Sequence, residues 1–368
     1  MSSLKLMLTG DVMTGRGIDQ ILPHPCDPVL YEDYVKSALG YVALAEDASG
    51  PIPRRVPFTY VWGDSLGEME KQKPDVRIIN LETAITAGGA PEPKGINYRM
   101  HPANIGVLKA AGINACVLAN NHVLDWGTVG LGETLETLSR AGITAVGAGR
   151  NEAEARAPLV FGLPSGRRVV LFAYGSVDSG IPRSWGARGN TPGVNLLRDF
   201  SPRTVLQIGQ DVRAVRQAGD VVVASIHWGG NWGYEISDAH RDFAHALIDD
   251  AMVDIVHGHS SHHVKGIEIW HGKLVLYGCG DLINDYEGIS GYEEFRDDLS
   301  LIYFPKVKDG GGALESLEMA PFHMRAFRLE KADAGDAAWL ADLLTEQGRQ
   351  FGTWAELAPD GNLRLGWS

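Results

Sequence analysis

A chain of 368 residues, 44% hydrophobic and 21% charged, can bury a large core, which excludes a disordered protein. Its formal charge of −13, without a basic cluster, repels phosphate backbones and anionic lipid, so no nucleic-acid or membrane partner is expected. The three cysteines, Cys26, Cys116 and Cys279, lie far apart without a C-x-x-C pair, so neither a zinc site nor a redox pair is expected, and reduced thiols suit a cytoplasmic protein.

Along the chain, short apolar runs alternate with helical patterns, the signature of β-α units feeding one or two sheets in an α/β fold. The first apolar run meets Gly10 and Asp11 at once, so it is read as a strand over 5–9 and not as a signal peptide or membrane span. Residues 23–57, rich in Pro and Gly, are expected to be irregular. Further strands are expected over 76–80, 115–118, 168–174, 221–227, 255–257 and 274–278. Apolar positions three and four apart predict helices over 105–111, 131–140, 204–217 and 240–251, the last starting near Asp238. Residues 176–202, with Pro182, Gly186, Gly189, Pro192 and Gly193, form a second irregular stretch. Insertions of this length are often lids or substrate loops. Residues 300–368 are expected to hold late strands over 301–305 and 319–329 and a closing helix over 336–351.

Five strand-like runs end directly in a metal-ligand residue type: Asp11, Glu82, Asn121 with His122, His227, and His257 with His259. In open α/β sheets the carboxyl ends of strands share one edge, so these side chains are expected to converge in a crevice. A single Asp or His at a strand end is ordinarily a helix cap or a satisfied core histidine. Five in one chain, with four histidines between His257 and His263, argue against coincidence. Carboxylates, an amide oxygen and imidazoles suit Mn²⁺, Fe or Zn²⁺ better than a soft thiolate-binding ion. A carboxylate bridging two such ions is expected, with Glu82 the choice.

The strings Gly10-Asp11-Val12-Met13-Thr14-Gly15-Arg16, Asn80-Leu81-Glu82, Asn120-Asn121-His122, His227-Trp228-Gly229 and Gly258-His259-Ser260-Ser261-His262-His263 resemble the CapA type of calcineurin-like metallophosphoesterases, whose members are commonly labelled poly-γ-glutamate capsule synthesis proteins. The resemblance covers about residues 4–290. It implies a single domain over 1–368 with two packed mixed β-sheets flanked by helices, and a dinuclear divalent-metal site. By the same resemblance Asp11 binds the first metal, Glu82 bridges, Asn121 and His227 bind the second, and His259 with His262 or His263 completes the set. His122 is the general acid or base, with Asp125 orienting it. The first strand departs from the family's hydrolases, carrying Asp11-Val12-Met13 where they carry Asp-x-His, and the usual bridging motif is reduced to Asn80-Leu81-Glu82.

Arg16 has two readings: a clamp on an anionic or carbonyl group of the substrate, or a partner to a carboxylate near Asp11. The stretch from Asn97 to Pro102 is read as a pocket wall or as an exposed strand and turn. Trp228 and Trp232 either line an aromatic cleft or lie in the core. Cys279, Asp281, Asn284 and Asp285, just beyond the last sheet strand, either supply a further catalytic acid or form a turn. The departures favour acid–base chemistry beside a peptide carbonyl. The function expected from the sequence is a metal-dependent peptidyl epimerase of lasso-peptide biosynthesis, in which His122 and a partner such as Asp11 or a histidine of the 257–263 cluster exchange a Cα proton. A peptide substrate, a leader-bearing precursor and a delivery protein are its implied partners. The alternatives are a dinuclear phosphoesterase and a poly-γ-glutamate synthesis factor.

Overall fold

The strand Leu4–Val12 sets the plan of the molecule, described here from a computed structural model over residues 3–308 and 311–368. Side chains on a strand alternate between faces. Leu6 and Leu8 accordingly enter one core cluster and Met7 another. The strand is thus buried on both sides, at the centre of a sheet. It pairs in parallel with Val76–Leu81, which continues in parallel to Ala115–Val117 and Thr144–Val146. On its other side it runs antiparallel to Leu299–Val307, which leads to Leu314–Arg325 and the hairpin Thr353–Leu357 and Leu363–Trp367.

A second sheet places Leu196–Leu197, Arg168–Ser176, Val221–His227, Ile255–His259 and Lys273–Leu276 side by side in parallel, with Ile267–Trp270 antiparallel at its edge. The two sheets face each other across Leu6, Leu8, Ile78, Val117, Leu171, Val223 and Ile255. The outer face of the second sheet, with Val170, Phe172 and Tyr174, is covered by the helices Pro202–Val215 and Asp238–Asp249. Both helices start on a serine cap: Ser201 accepts from the Thr204 amide, with Pro202 in the first turn, and Ser237 accepts from the His240 amide. Their buried stripes, Val205, Ile208 and Val212, then Phe243 and Leu247, sit three or four residues apart, and each of these side chains contributes about 1.5–3 kcal/mol by leaving water. The outer face of the first sheet packs on the helices Ala38–Ser49, Ser65–Gln72 and Gly127–Arg140. The result is mixed sheets flanked by helices.

The stretch 23–57 departs from expectation, because it contains the helix Ala38–Ser49, capped by Ser37. Its buried stripe is only Ala38, Tyr41, Val42 and Ala45, too short to stand out among flanking prolines and glycines. Residues 176–202 hold 3₁₀ turns at Val177–Ser179 and Arg183–Trp185 and two-residue strands at Gly193–Val194 and Leu196–Leu197. The closing helix, Ala334–Gly348, is followed by a hairpin absent from the sequence reading. Cys26, Cys116 and Cys279 are buried free thiols. No helix among the described residues is long and apolar enough to cross a membrane.

Candidate metal centre

The parallel strands of both sheets discharge their carboxyl ends at one rim. Asp11 pairs in register with Asn80 on one side and Asp281 on the other, while His227 pairs with His259 in the second sheet. The approach of strand 4–12 to Asp281 depends on Gly10, since a Cβ there would lie 1.7 Å from the Gly280 carbonyl oxygen. Gly258 serves the second sheet in the same way, its Cβ position lying 2.6 Å from the backbone oxygens of Leu276 and Tyr277.

Two buried ligand sets result, Asp11 with His227 and His259, and Asp11 with His262 and Asp281, each offering donor atoms within 4.8 Å of one another. Asp11 is common to both. Glu82, expected from the sequence as the bridging carboxylate, lies alongside, its Oε2 3.9 Å from His227 Nδ1 and its Oε1 3.8 Å from His122 Nε2. Asn80, unremarked as a site residue, donates to Asp11 Oδ1 at 2.7 Å and to Glu82 Oε2 at 3.1 Å and so fixes the two carboxylates relative to each other.

Among the ligand-type atoms buried with no hydrogen-bond partner are Asp11 Oδ2, Asn121 Oδ1 and His227 Nε2 on the strand-end residues, with His263 Nε2 outside both sets. Burying polar atoms unpaired costs about 1–3 kcal/mol each. A concentration of such orphans among oxygen and nitrogen donors is what a divalent cation would satisfy, so the residues present fit one. The charge balance agrees. Burial, then the neighbouring Asp281, raises Asp11 to about 7, and burial, then Asp11, raises Glu82 well above the usual carboxylate range. Burial lowers His227 and His259 well below the ordinary imidazole value. Burial opposes the charged form of His262 too, but Asp281, 2.9 Å away, outweighs it and the net shift is upward. A cluster that strains to ionise its carboxylates lacks positive charge.

The four histidines of 257–263 divide by environment. His259 and His262 face the cluster. His257 is held between Ser225 Oγ at 3.0 Å and the Thr9 carbonyl at 2.8 Å. His263, expected as an alternative ligand, instead bonds to the Val264 carbonyl and lies among Trp232, Tyr234 and Phe295, outside both sets. Ser225 also binds His259 Nε2 at 3.0 Å, which turns the Nδ1 of that ring toward His227 and Asp11.

His122 sits at the rim beside Asn121. Its Nδ1 lies 2.7 Å from Asp125 Oδ2, and its ring meets Tyr98 edge-on at 4.7 Å. Asp125 is itself pinned by the Tyr98 amide at 2.6 Å and by Lys94 Nζ at 2.8 Å. Lys94 also lies 3.3 Å from His122 Nδ1 and stands over Trp185 from the 176–202 segment. Burial lowers His122 to about 4, with Asp125 pulling the other way and Lys94 adding to the lowering. Lys94 carried no sequence signal, being a lone lysine in a Pro- and Gly-rich loop.

Arg16 is corrected as a catalytic candidate. Its guanidinium is buried and turned to Asp285 and Glu32, with Tyr41 accepting as well, so four of its five N–H donors are committed within the protein, the second of the two readings. Asp285 belongs to that pair. Asp281 belongs to the metal-capable cluster, and it also follows an apolar run, 274–278, so the strand-end rule could have found it. The Met13 sulfur accepts from the Tyr286 hydroxyl at 3.8 Å, a weak bond that fixes the thioether beside the aromatic wall. Trp228 is core, stacked on Tyr277 and His240, whereas Trp232 stacks on Tyr292 at 4.0 Å and borders His262. Tyr98 makes the 97–102 stretch a wall of the site.

Mixed sheets flanked by helices bring a buried carboxylate and imidazole cluster to the strand ends, with a geometry that could hold cations. Residues 5–286 match the family described as bacterial capsule synthesis protein PGA_cap, and the chain belongs to that family. It is 45% identical over 362 residues, 98% of this chain and 95% of the relative, to a "Probable polyglutamine synthesis accessory protein" of Mycobacterium tuberculosis. It is also similar to the "PGA biosynthesis protein CapA" of Bacillus subtilis, at 28% identity over 60% of this chain and 54% of the relative. The "Capsule biosynthesis protein CapA" of Bacillus anthracis is 23% identical over 88% of this chain and 68% of the relative.

Proposed function

We propose that this chain is a metal-dependent accessory enzyme of glutamyl-polymer synthesis that cleaves amide bonds of the polymer backbone, on a calcineurin-like arrangement of its sheets. The observation that carries the reading is the trio of orphaned, buried ligand atoms on Asp11, Asn121 and His227. The relatives' names supply the polymer. They lend no support to the lasso-peptide epimerase expected from the sequence and favour the polyglutamate alternative.

Asp11, His227 and His259, with Asn121 and Glu82 alongside, would hold one ion, and Asp11, His262 and Asp281 a second. The mixed oxygen and nitrogen set suits Mn²⁺, Fe or Zn²⁺. Ions bound there would polarise a carbonyl oxygen and acidify water. The protein's own contribution is proton handling and placement. A carboxylate only accepts, so Asp125 keeps the proton of His122 on Nδ1 and leaves Nε2 free at the cleft to take a proton and later deliver it to the leaving amine. Lys94 and the Tyr98 amide hold Asp125 still, and Trp232, Tyr98 and Tyr286 shape an aromatic wall that excludes water.

The test combines metal analysis of purified protein with size-exclusion assay of poly-γ-glutamate. About two divalent ions per chain and a shortening of the polymer are expected. His122→Ala should slow shortening about 10²–10⁴-fold while the metal content stays unchanged. Solvent deuterium entering Cα positions without shortening would replace this reading by epimerisation, and turnover of phosphate esters alone would replace it by a phosphoesterase.

A further inference from the structure

The 176–202 segment has two faces. Trp185 turns inward, 5.3 Å from the Lys94 ammonium at the metal centre. Toward its end the segment pairs through Leu196–Leu197 with the strand Arg168–Ser176, and Leu197 joins the cluster on the outer side of the second sheet. There, between the helices Glu152–Arg156 and Pro202–Val215, it leaves a cavity of 520 Å³. Tyr174, from the strand Arg168–Ser176, forms part of the floor, and its hydroxyl is buried without a partner. Arg156, Arg188, Arg198 and Arg203 line the walls.

The acids at this cavity are already committed. Asp211 pairs with Arg156 at 3.0 Å, Glu152 Oε2 accepts from the Gly189 amide at 2.9 Å, and Asp199 is bound by Ser201 and Thr204. The guanidinium groups of Arg188, Arg198 and Arg203 make no hydrogen bond or ion pair among the described residues. On a chain of net charge −13, three unspent guanidiniums around one hollow with an unsatisfied hydroxyl at its base select an anion. A planar guanidinium fork matches a carboxylate, and three exposed forks lining one hollow of 520 Å³ suit several carboxylates on one chain better than a single small ion.

We propose that this cavity is a second binding site, for the side-chain carboxylates of an acidic polymer chain, which holds the polymer while another stretch of it reaches the metal centre around the same insertion. The cavity as an anion site stands on its own geometry, and the identity of the anion rests on the functional reading above. The probe is a fluorescein-labelled γ-glutamate decamer, followed by fluorescence anisotropy on the full chain. Replacing three arginines together (Arg188→Gln, Arg198→Gln, Arg203→Gln) should weaken binding at least about tenfold and flatten its salt dependence, with metal content and melting temperature unchanged. Tyr174→Phe, which removes only the orphaned hydroxyl, should weaken it by a few-fold. Loss of binding in the triple variant supports the site even if His122→Ala shortens the polymer as fast as the unaltered chain, an outcome that would fell the amide-cleavage reading alone. Unchanged affinity in the triple variant overturns the proposal, as does complete competition by equimolar inorganic phosphate.

Discussion

Replacing Gly10 by alanine tests the claim that the rim of the sheet is assembled by close backbone approach. The added Cβ would stand 1.7 Å from the Gly280 oxygen, 2.8 Å from its carbon and 3.1 Å from the Cys279 carbon, all backbone atoms that cannot rotate away. Reaching ordinary contact requires an opening of about 1.7 Å between strand 4–12 and the 279–281 segment. That opening breaks the Asp11 amide bond to the Gly280 oxygen, 3.0 Å long. Overpacking costs about 1–3 kcal/mol and the lost hydrogen bond about 0.5–1.5, so a destabilisation of about 2–4 kcal/mol is expected in urea unfolding. Metal ligands tolerate errors of only about 0.2 Å, so Asp281 should leave the set it shares with Asp11 and His262, while Asp11, His227 and His259 stay together. Metal analysis of the folded Gly10→Ala fraction should then fall by about one ion per chain. A variant with the wild-type urea midpoint and full metal content would refute the reasoning.

Arg16→Met should cost about 3–5 kcal/mol, because it strands the carboxylates of Asp285 and Glu32, whose side chains are 0% and 1% exposed, and urea unfolding measures the loss. Leu171→Ala, which empties a fully buried position between the two sheets, should cost about 2–5 kcal/mol in the same assay and leave the metal content alone.

The sequence by itself determined the strands that carry the site. Runs such as Val221–His227 and Ile255–His259 are apolar on both faces because they lie in the middle of parallel sheets, and such runs are legible without coordinates. Their polar last residues were legible too, since five strand ends in ligand-type residues are more than capping or core histidines ordinarily supply. The helices 202–215 and 238–249 showed themselves by their apolar spacing, whereas Ala38–Ser49 did not, its stripe being short and its flanks rich in helix breakers. Only the tertiary structure decided which donors face one another. Ser260 takes a φ of +106°, so the chain after His259 leaves the alternating pattern of the strand, and nothing in the order of the residues says that His262 turns to Asp281 while His263 turns to Phe295. Asp11 is common to both ligand sets because Asp281 arrives beside it from 270 residues along the chain, through backbone contacts at Gly10. Likewise Arg16 is spent on Asp285 by a long-range pairing. Strand identity is a local property of side-chain spacing, but the partner of a buried charge is fixed by contacts between segments remote in sequence, and those exist only once the sheets have closed.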